Sequence, residues 1–196
     1  MKRLIPLFFF ILLIQISSIS ASDSNEIKRI VIGNKNAKIS IIAYESLTCS
    51  HCANFHIDVL PDLKKEYIDT GIAKIEFRHF PLDVAAFNAS KIAQCKNDGN
   101  PDILNALYAN QQKWVKGSSV QEANINLQNF LKNEGFDIDF EKCIGDKNIE
   151  DFVLNDRIDG TKNFKVNSTP TIIINNKKFE KTLNYKNLKK ALEKLI

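Results

Sequence analysis

Two cysteines, Cys49 and Cys52, are separated only by Ser50 and His51 in the stretch YESLTCSHCANFH. If a helix begins here, both thiols fall on one face a single turn apart, so one can attack a mixed disulfide formed by the other. The reactive form of cysteine is the thiolate, and an ordinary thiol, with a pKa near ~8.5, is mostly protonated at neutral pH. A helix N-terminus and a neighbouring imidazolium both favour the anion. This spacing offers Cys49 the first and, through His51, the second. The pattern points to redox exchange, with Cys49 attacking and Cys52 resolving. Other uses fit less well. A structural zinc site commonly takes two close pairs, whereas Cys95 and Cys143 stand alone. A c-type haem requires histidine after the second cysteine, and here Ala53 follows. A purely structural Cys49–Cys52 bridge closes too small a loop to stabilise the fold much. His56 reads as a satisfied helix histidine and His79 as a structural residue at a strand end. Together with the cysteines they keep metal handling open, although no spacing demands a metal and no cofactor is implied.

Hydrophobic spacing shows the elements that must hold the pair. KISIIAY, 38–44, is a short apolar run suited to a strand buried on both faces. After the cysteines, Phe55, Val59, Leu63 and Tyr67 recur at helical spacing, with Pro61 as a kink and Gly71 as the stop. AKIEFRH, 73–79, alternates strictly and reads as a second strand. The cysteines therefore sit where the first strand of a βαβ unit hands over to its helix. From Val84 to about Phe164 the period is helical throughout, with breaks at Asn100–Pro101 and Gly117–Ser118 and with Ser118 or Ser119 as a cap. Cys95 ends one of these helices and Cys143 falls between two others. The stretch STPTIIINNKKFE returns to strand and hairpin, and Tyr185, Leu188, Leu192 and Leu195 give a last amphipathic helix.

The chain opens with Met1-Lys2-Arg3, then LIPLFFFILLIQI, then SSISAS, which is the pattern of a secretory signal peptide over residues 1–21 with cleavage near Ser20 to Ser22. The apolar run falls short of the ~20 residues that span a bilayer. Retention as an uncleaved anchor is the alternative, and both readings export residues 22–196 as one domain. Removing Lys2 and Arg3 takes the net charge from +4 to +2, so nucleic acid is not an implied partner. Export also changes the meaning of the second cysteine pair. In an oxidising compartment an even count suggests a structural Cys95–Cys143 disulfide, with buried free thiols or a second redox pair as alternatives.

AKISIIAYESLTCSHCANFHIDVLPDLKKEYIDTGIAKIEFRHFPLD resembles the active-site half of the DsbA-like, thioredoxin-fold disulfide oxidoreductases, and VNSTPTIIINNKKF resembles their cis-proline segment. The resemblance runs from about Val31 to the C-terminus. It implies an α/β thioredoxin fold with an all-helical block inserted at about 84–164. It also implies that Cys49 is the nucleophile, Cys52 the resolving thiol, and Pro170 a cis-proline facing them. Thr169 would pair its backbone with an extended substrate segment and set a hydroxyl near the sulfur. Without the resemblance, Pro170 is an ordinary proline at a strand start. Two positions depart from the family's pattern. Ser50 stands where many relatives have proline, and Ala43 where many have a buried acid six residues before the first cysteine. Glu45 is close, but alternation is expected to turn it to the opposite face. That leaves water, or Glu45 after a local shift, to take the Cys52 proton. The implied activity is a periplasmic, monomeric thiol:disulfide oxidoreductase that introduces disulfides into translocated proteins and is reoxidised by a DsbB-like membrane partner. The alternatives are a reductase or isomerase, hinted at by Thr169, a copper-carrying thioredoxin-like protein, and a client-specific interaction module.

Overall fold

The computed structural model describes residues 26–196, so the signal segment read at 1–21 lies outside the described residues. Strands β1 (Ile30–Gly33), β2 (Ile39–Glu45), β3 (Ala73–His79), β4 (Thr171–Ile174) and β5 (Lys177–Lys178) form one sheet in the order β1-β3-β2-β4-β5. β2 and β3 are parallel, in register from Ile39 opposite Ala73 to Glu45 opposite His79, and the other pairings are antiparallel. β2 lies at the centre, which is why its sequence is almost uninterruptedly apolar.

The active-site helix runs from residue 50 to 68. It is built of α1 (Ser50–Asn54), a π-helical turn over Phe55–Val59, α2 (Leu60–Leu63) and a second π turn over Lys64–Ile68. Pro61 has no N–H to give the Ile57 carbonyl, and the helix passes the missing bond by widening just before it. Phe55, Val59, Leu63 and Tyr67 are all buried, as their spacing requires.

The helical block comprises α3 (Val84–Gln94), α4 (Asp102–Ala109), α5 (Gln111–Trp114), α6 (Val120–Asn133), α7 (Phe140–Gly145) and α8 (Lys147–Phe164). Of the two candidate caps, Ser119 is the one that closes α6, accepting from Glu122 N–H. Cys95 follows the last residue of α3, but Cys143 lies inside α7 rather than between helices. The two form a disulfide with their Cα atoms 5.5 Å apart. After β5, α9 (Tyr185–Leu192) buries Leu188 and Leu192.

One face of the sheet carries Ile39, Ile41 and Ala43 into the main core, against the active-site helix and α9. The other face carries Tyr44 into a smaller cluster with Phe80, Val166 and Ile173. Over that cluster lies α8, and Gly160 permits the contact, since a Cβ there would sit 2.8 Å from the Tyr44 ring. Two polar ties hold α8 to the sheet. Tyr44 Oη and Arg78 both donate to Asp159, each at 2.5 Å. Fully buried Asp156 accepts from Arg29 and from the His79 backbone N–H. The architecture is the α/β thioredoxin fold with an inserted helical block.

Candidate active site

The chain leaves β2 at Glu45 and reaches the helix through Ser46–Cys49. Cys49 is the N-cap, with extended backbone (φ −81°, ψ 117°), and its carbonyl accepts from Cys52 N–H at 3.1 Å and Ala53 N–H at 3.2 Å. The helical block pins this loop. Thr48 donates to Asp83 at 2.6 Å, and Asp83 also caps α3 through Ala86 N–H. Gln111 Nε2 donates to the carbonyls of Leu47 at 2.8 Å and Cys49 at 3.1 Å.

The two thiols are free, Cys49 half-buried and Cys52 fully buried. Their surroundings drive their acidities apart. Cys49 is lowered to about 5, chiefly because the Cys52 thiol donates to its sulfur. Partial burial opposes this, while the Thr169 side chain and the backbone N–H groups of Cys52 and His51 add to it. Cys52 is pushed far above the ordinary thiol range by burial, by the hydrogen bond it gives Cys49 and by the charge of Glu45, with Ser46 N–H pulling the other way. The result is a reachable sulfur that ionises easily beside a buried one that keeps its proton.

Thr169 and Pro170 face the pair across a cis peptide bond. The Cys49 thiol donates to the Thr169 carbonyl at 3.3 Å. The Thr169 hydroxyl is buried and has no hydrogen-bond partner among the described residues, which leaves it free for the Cys49 thiolate. His51 is exposed and brings its backbone N–H to the sulfur.

Glu45 overturns the expectation from alternation. Residues two apart share a face, so Glu45 follows Ala43 into the core and is 3% exposed. Its Oε2 lies 2.9 Å from His56 Nε2, and the His56 ring stacks on Tyr108 with centroids 4.0 Å apart. Burial raises the Glu45 carboxyl, and His56 offsets part of that rise. His56 is thus a packed histidine with a specific partner. His79 ends β3, buried beside Gln94 at 3.2 Å, and burial lowers its pKa. Among the described residues no three His, Cys, Asp or Glu side chains gather where they could hold a metal ion. The sequence reading did not anticipate Gln111 or Asp83, which reach the loop across 35 to 64 residues and carry no local signal. For Glu45 the signal was present in its parity with Ala43.

A family model described as Thioredoxin matches residues 25–194. A Rickettsia bellii protein, which its name gives provisionally as a protein-disulfide oxidoreductase, is 30% identical over 170 residues, covering 85% of this chain and 64% of the relative. The Bacillus subtilis disulfide bond formation protein D is 24% identical over 84% of this chain and 75% of its own length. The chain spans a little under two thirds of the length of the Rickettsia relatives it matches first. Among solved structures, Wolbachia pipientis alpha-DsbA1 superposes with a TM-score of 0.75 at 29% identity, covering 85% of this chain and 90% of that one. Fold, cysteine geometry and relatives agree, and the chain belongs to the thioredoxin family, in its DsbA-like branch.

Proposed function

We propose that this chain is an exported thiol:disulfide oxidoreductase that donates its Cys49–Cys52 disulfide to newly translocated proteins. The observation that carries the reading is the divergence of the two thiols. An anion held at Cys49 stabilises the dithiol form, and a stabilised dithiol makes its disulfide a stronger oxidant. A client thiolate attacks Cys49, the Cys49–Cys52 bond breaks, and Cys52 leaves with the electron pair. A second client thiolate then displaces Cys49, and the client keeps the disulfide. The Thr169 backbone next to the pair gives an extended client a strand edge on which to lie. Cys95–Cys143 serves as structure, remote from this exchange in the helical block. The N-terminal segment supports export to the periplasm, and the DsbA-like relatives support reoxidation by a DsbB-like membrane partner.

The test is the Cys49–Cys52 reduction potential, read by equilibrating the protein, with Cys95 and Cys143 replaced by alanine, against glutathione buffers. A value of about −120 to −180 mV places it with dithiol oxidants. A value near about −270 mV would make it a reductant and remove the oxidase reading.

A further inference from the structure

The N-cap of a helix lies outside its hydrogen-bond ladder, so the helix alone does not hold that residue from the upstream side. Cys49 is such a residue, and its sulfur has to serve a client on one side and Cys52 on the other. Two bonds from outside the helix hold it. Its thiol donates to the Thr169 carbonyl at 3.3 Å, and its own carbonyl accepts from Gln111 Nε2 at 3.1 Å. That carbonyl already accepts from Cys52 N–H and Ala53 N–H, which occupy its two lone pairs. The bond from Gln111 is therefore not needed to satisfy the oxygen; what it adds is direction. The other hydrogen of the same amide goes to the Leu47 carbonyl at 2.8 Å, so one side chain grips the backbone on either side of Thr48. The grip fixes the Cys49 peptide plane, and with the extended backbone (φ −81°, ψ 117°) it fixes where the sulfur points. Gln111 stands 62 residues from Cys49, and its own place is set firmly. Trp114, at the end of the four-residue α5, is buried and gives its indole N–H to the Leu107 carbonyl at 2.8 Å, while Val115 N–H closes on the Gln111 carbonyl at 2.9 Å.

We infer that Gln111 is a positioning residue for the resolving step, its amide clamping the Leu47 and Cys49 carbonyls so that a Cys49 sulfur joined to a partner stays in line for Cys52. The inference rests on the exchange reading above. Once Cys49 is joined to a partner, its thiol hydrogen is gone, and the bond to the Thr169 carbonyl goes with it. The clamp from Gln111 is then the hold that remains. In resolution Cys52 loses its proton, its sulfur bonds to Cys49, the bond from Cys49 to the partner breaks, and the partner leaves as a thiolate that takes up a proton in water. This step needs two sulfurs of one chain aligned, and a misplacement of about 1 Å can slow such a reaction roughly a hundredfold. Formation of the mixed disulfide needs only a reachable Cys49 sulfur, so the clamp acts on the second step and not on the first. The helical block thereby governs how long a mixed disulfide lasts.

The test mixes the reduced protein rapidly with oxidised glutathione, quenches in acid and reads the masses, which separates formation of the Cys49–glutathione disulfide from its resolution by Cys52. Gln111→Met keeps the length of the side chain and donates nothing. Gln111→Glu keeps its shape and, ionised, turns only oxygens to the two carbonyls. Both should form the mixed disulfide within a few-fold of the wild-type rate and resolve it more slowly by roughly tenfold to a hundredfold, so that it accumulates. Gln111→Glu carries the test if Gln111→Met does not fold. Gly160→Ala, which strains the contact of α8 with Tyr44 instead, should leave resolution unchanged. Gln111 variants that resolve as fast as wild type, that slow both steps alike, or whose slowing is matched by Gly160→Ala would overturn the clamp and leave a structural contact. A wild-type protein that forms no mixed disulfide, or never resolves one, would overturn the exchange reading itself, and the clamp with it.

Discussion

At the residue scale, the site works by treating two identical side chains differently. Cys49 lies at the mouth of a helix, where backbone N–H groups and the Cys52 thiol converge on it, and Cys52 lies one turn deeper, with no solvent and a carboxylate nearby. An attacking nucleophile must ionise near neutral pH, and a resolving one does better to stay protonated until the mixed disulfide forms. Titrating the reduced protein by its ultraviolet thiolate absorbance should therefore show one transition near about 5, with no second cysteine ionising through neutral pH. Thr169→Val keeps the shape of that side chain and removes its hydroxyl, so the midpoint should move upward. A midpoint that does not move would mean that the hydroxyl does not reach the thiolate. Ser50 keeps a backbone N–H at the first turn that a proline would lack.

At the element scale, the pair is placed by the end of β2 and held by the helical block. Contacts this tight tolerate little extra volume. Gly160→Ala would drive a methyl into the buried Tyr44 ring from α8, and a cost of about 1–3 kcal/mol is expected in denaturant unfolding. Replacing Cys95 and Cys143 together by alanine releases a 48-residue separation. The loop-entropy model gives a loss of about 4 kcal/mol, a melting point lower by roughly 10 °C. The exchange chemistry should survive, since the bridge touches neither thiol. An unchanged melting point would mean that the helical block does not depend on the bridge.

What the sequence revealed of these elements follows from range. The βαβ unit was legible because its signals are local: an apolar run for β2, strict alternation for β3, a 3.6-residue stripe between them. The π turns were not. They depend on how Pro61 is accommodated against a core, and the sequence showed only that a kink was due. Nor could Asp83 and Gln111 be seen to pin the loop, because nothing in their neighbourhoods reports on residues 47–49. Glu45 differs from these cases, since its face follows from its parity with Ala43. Its partner His56 needed the fold, which alone brings the helix and the strand together at that depth.

At the scale of the whole molecule, the acidity of one sulfur becomes a property of the entire fold. The Cys49 pKa is about 5 in the folded, reduced protein, against about 8.5 for an ordinary thiol in the unfolded chain. A depressed acid stabilises the fold fully above its unfolded pKa, and the contribution is lost as pH falls through the folded value. The oxidised protein has no such group. Cys52 adds nothing across this range, since it is protonated both in the fold and in the unfolded chain below its ordinary pKa. The short loop closed by Cys49–Cys52 gives the oxidised form little entropic advantage in return. The reduced protein should therefore melt above the oxidised one at neutral pH. The gap should narrow steadily towards about 5 and widen towards mildly alkaline pH. Thermal unfolding of both redox forms over a pH series, with Cys95–Cys143 left intact in each, measures it directly. An oxidised form that is the more stable at pH 7, or a gap indifferent to pH, would show that the Cys49 anion is not what favours the dithiol. Through the thermodynamic cycle that links folding to oxidation, that gap equals the difference in reduction free energy between the Cys49–Cys52 disulfide in the fold and the same disulfide in the unfolded chain. Stability and reactivity are in that sense one measurement.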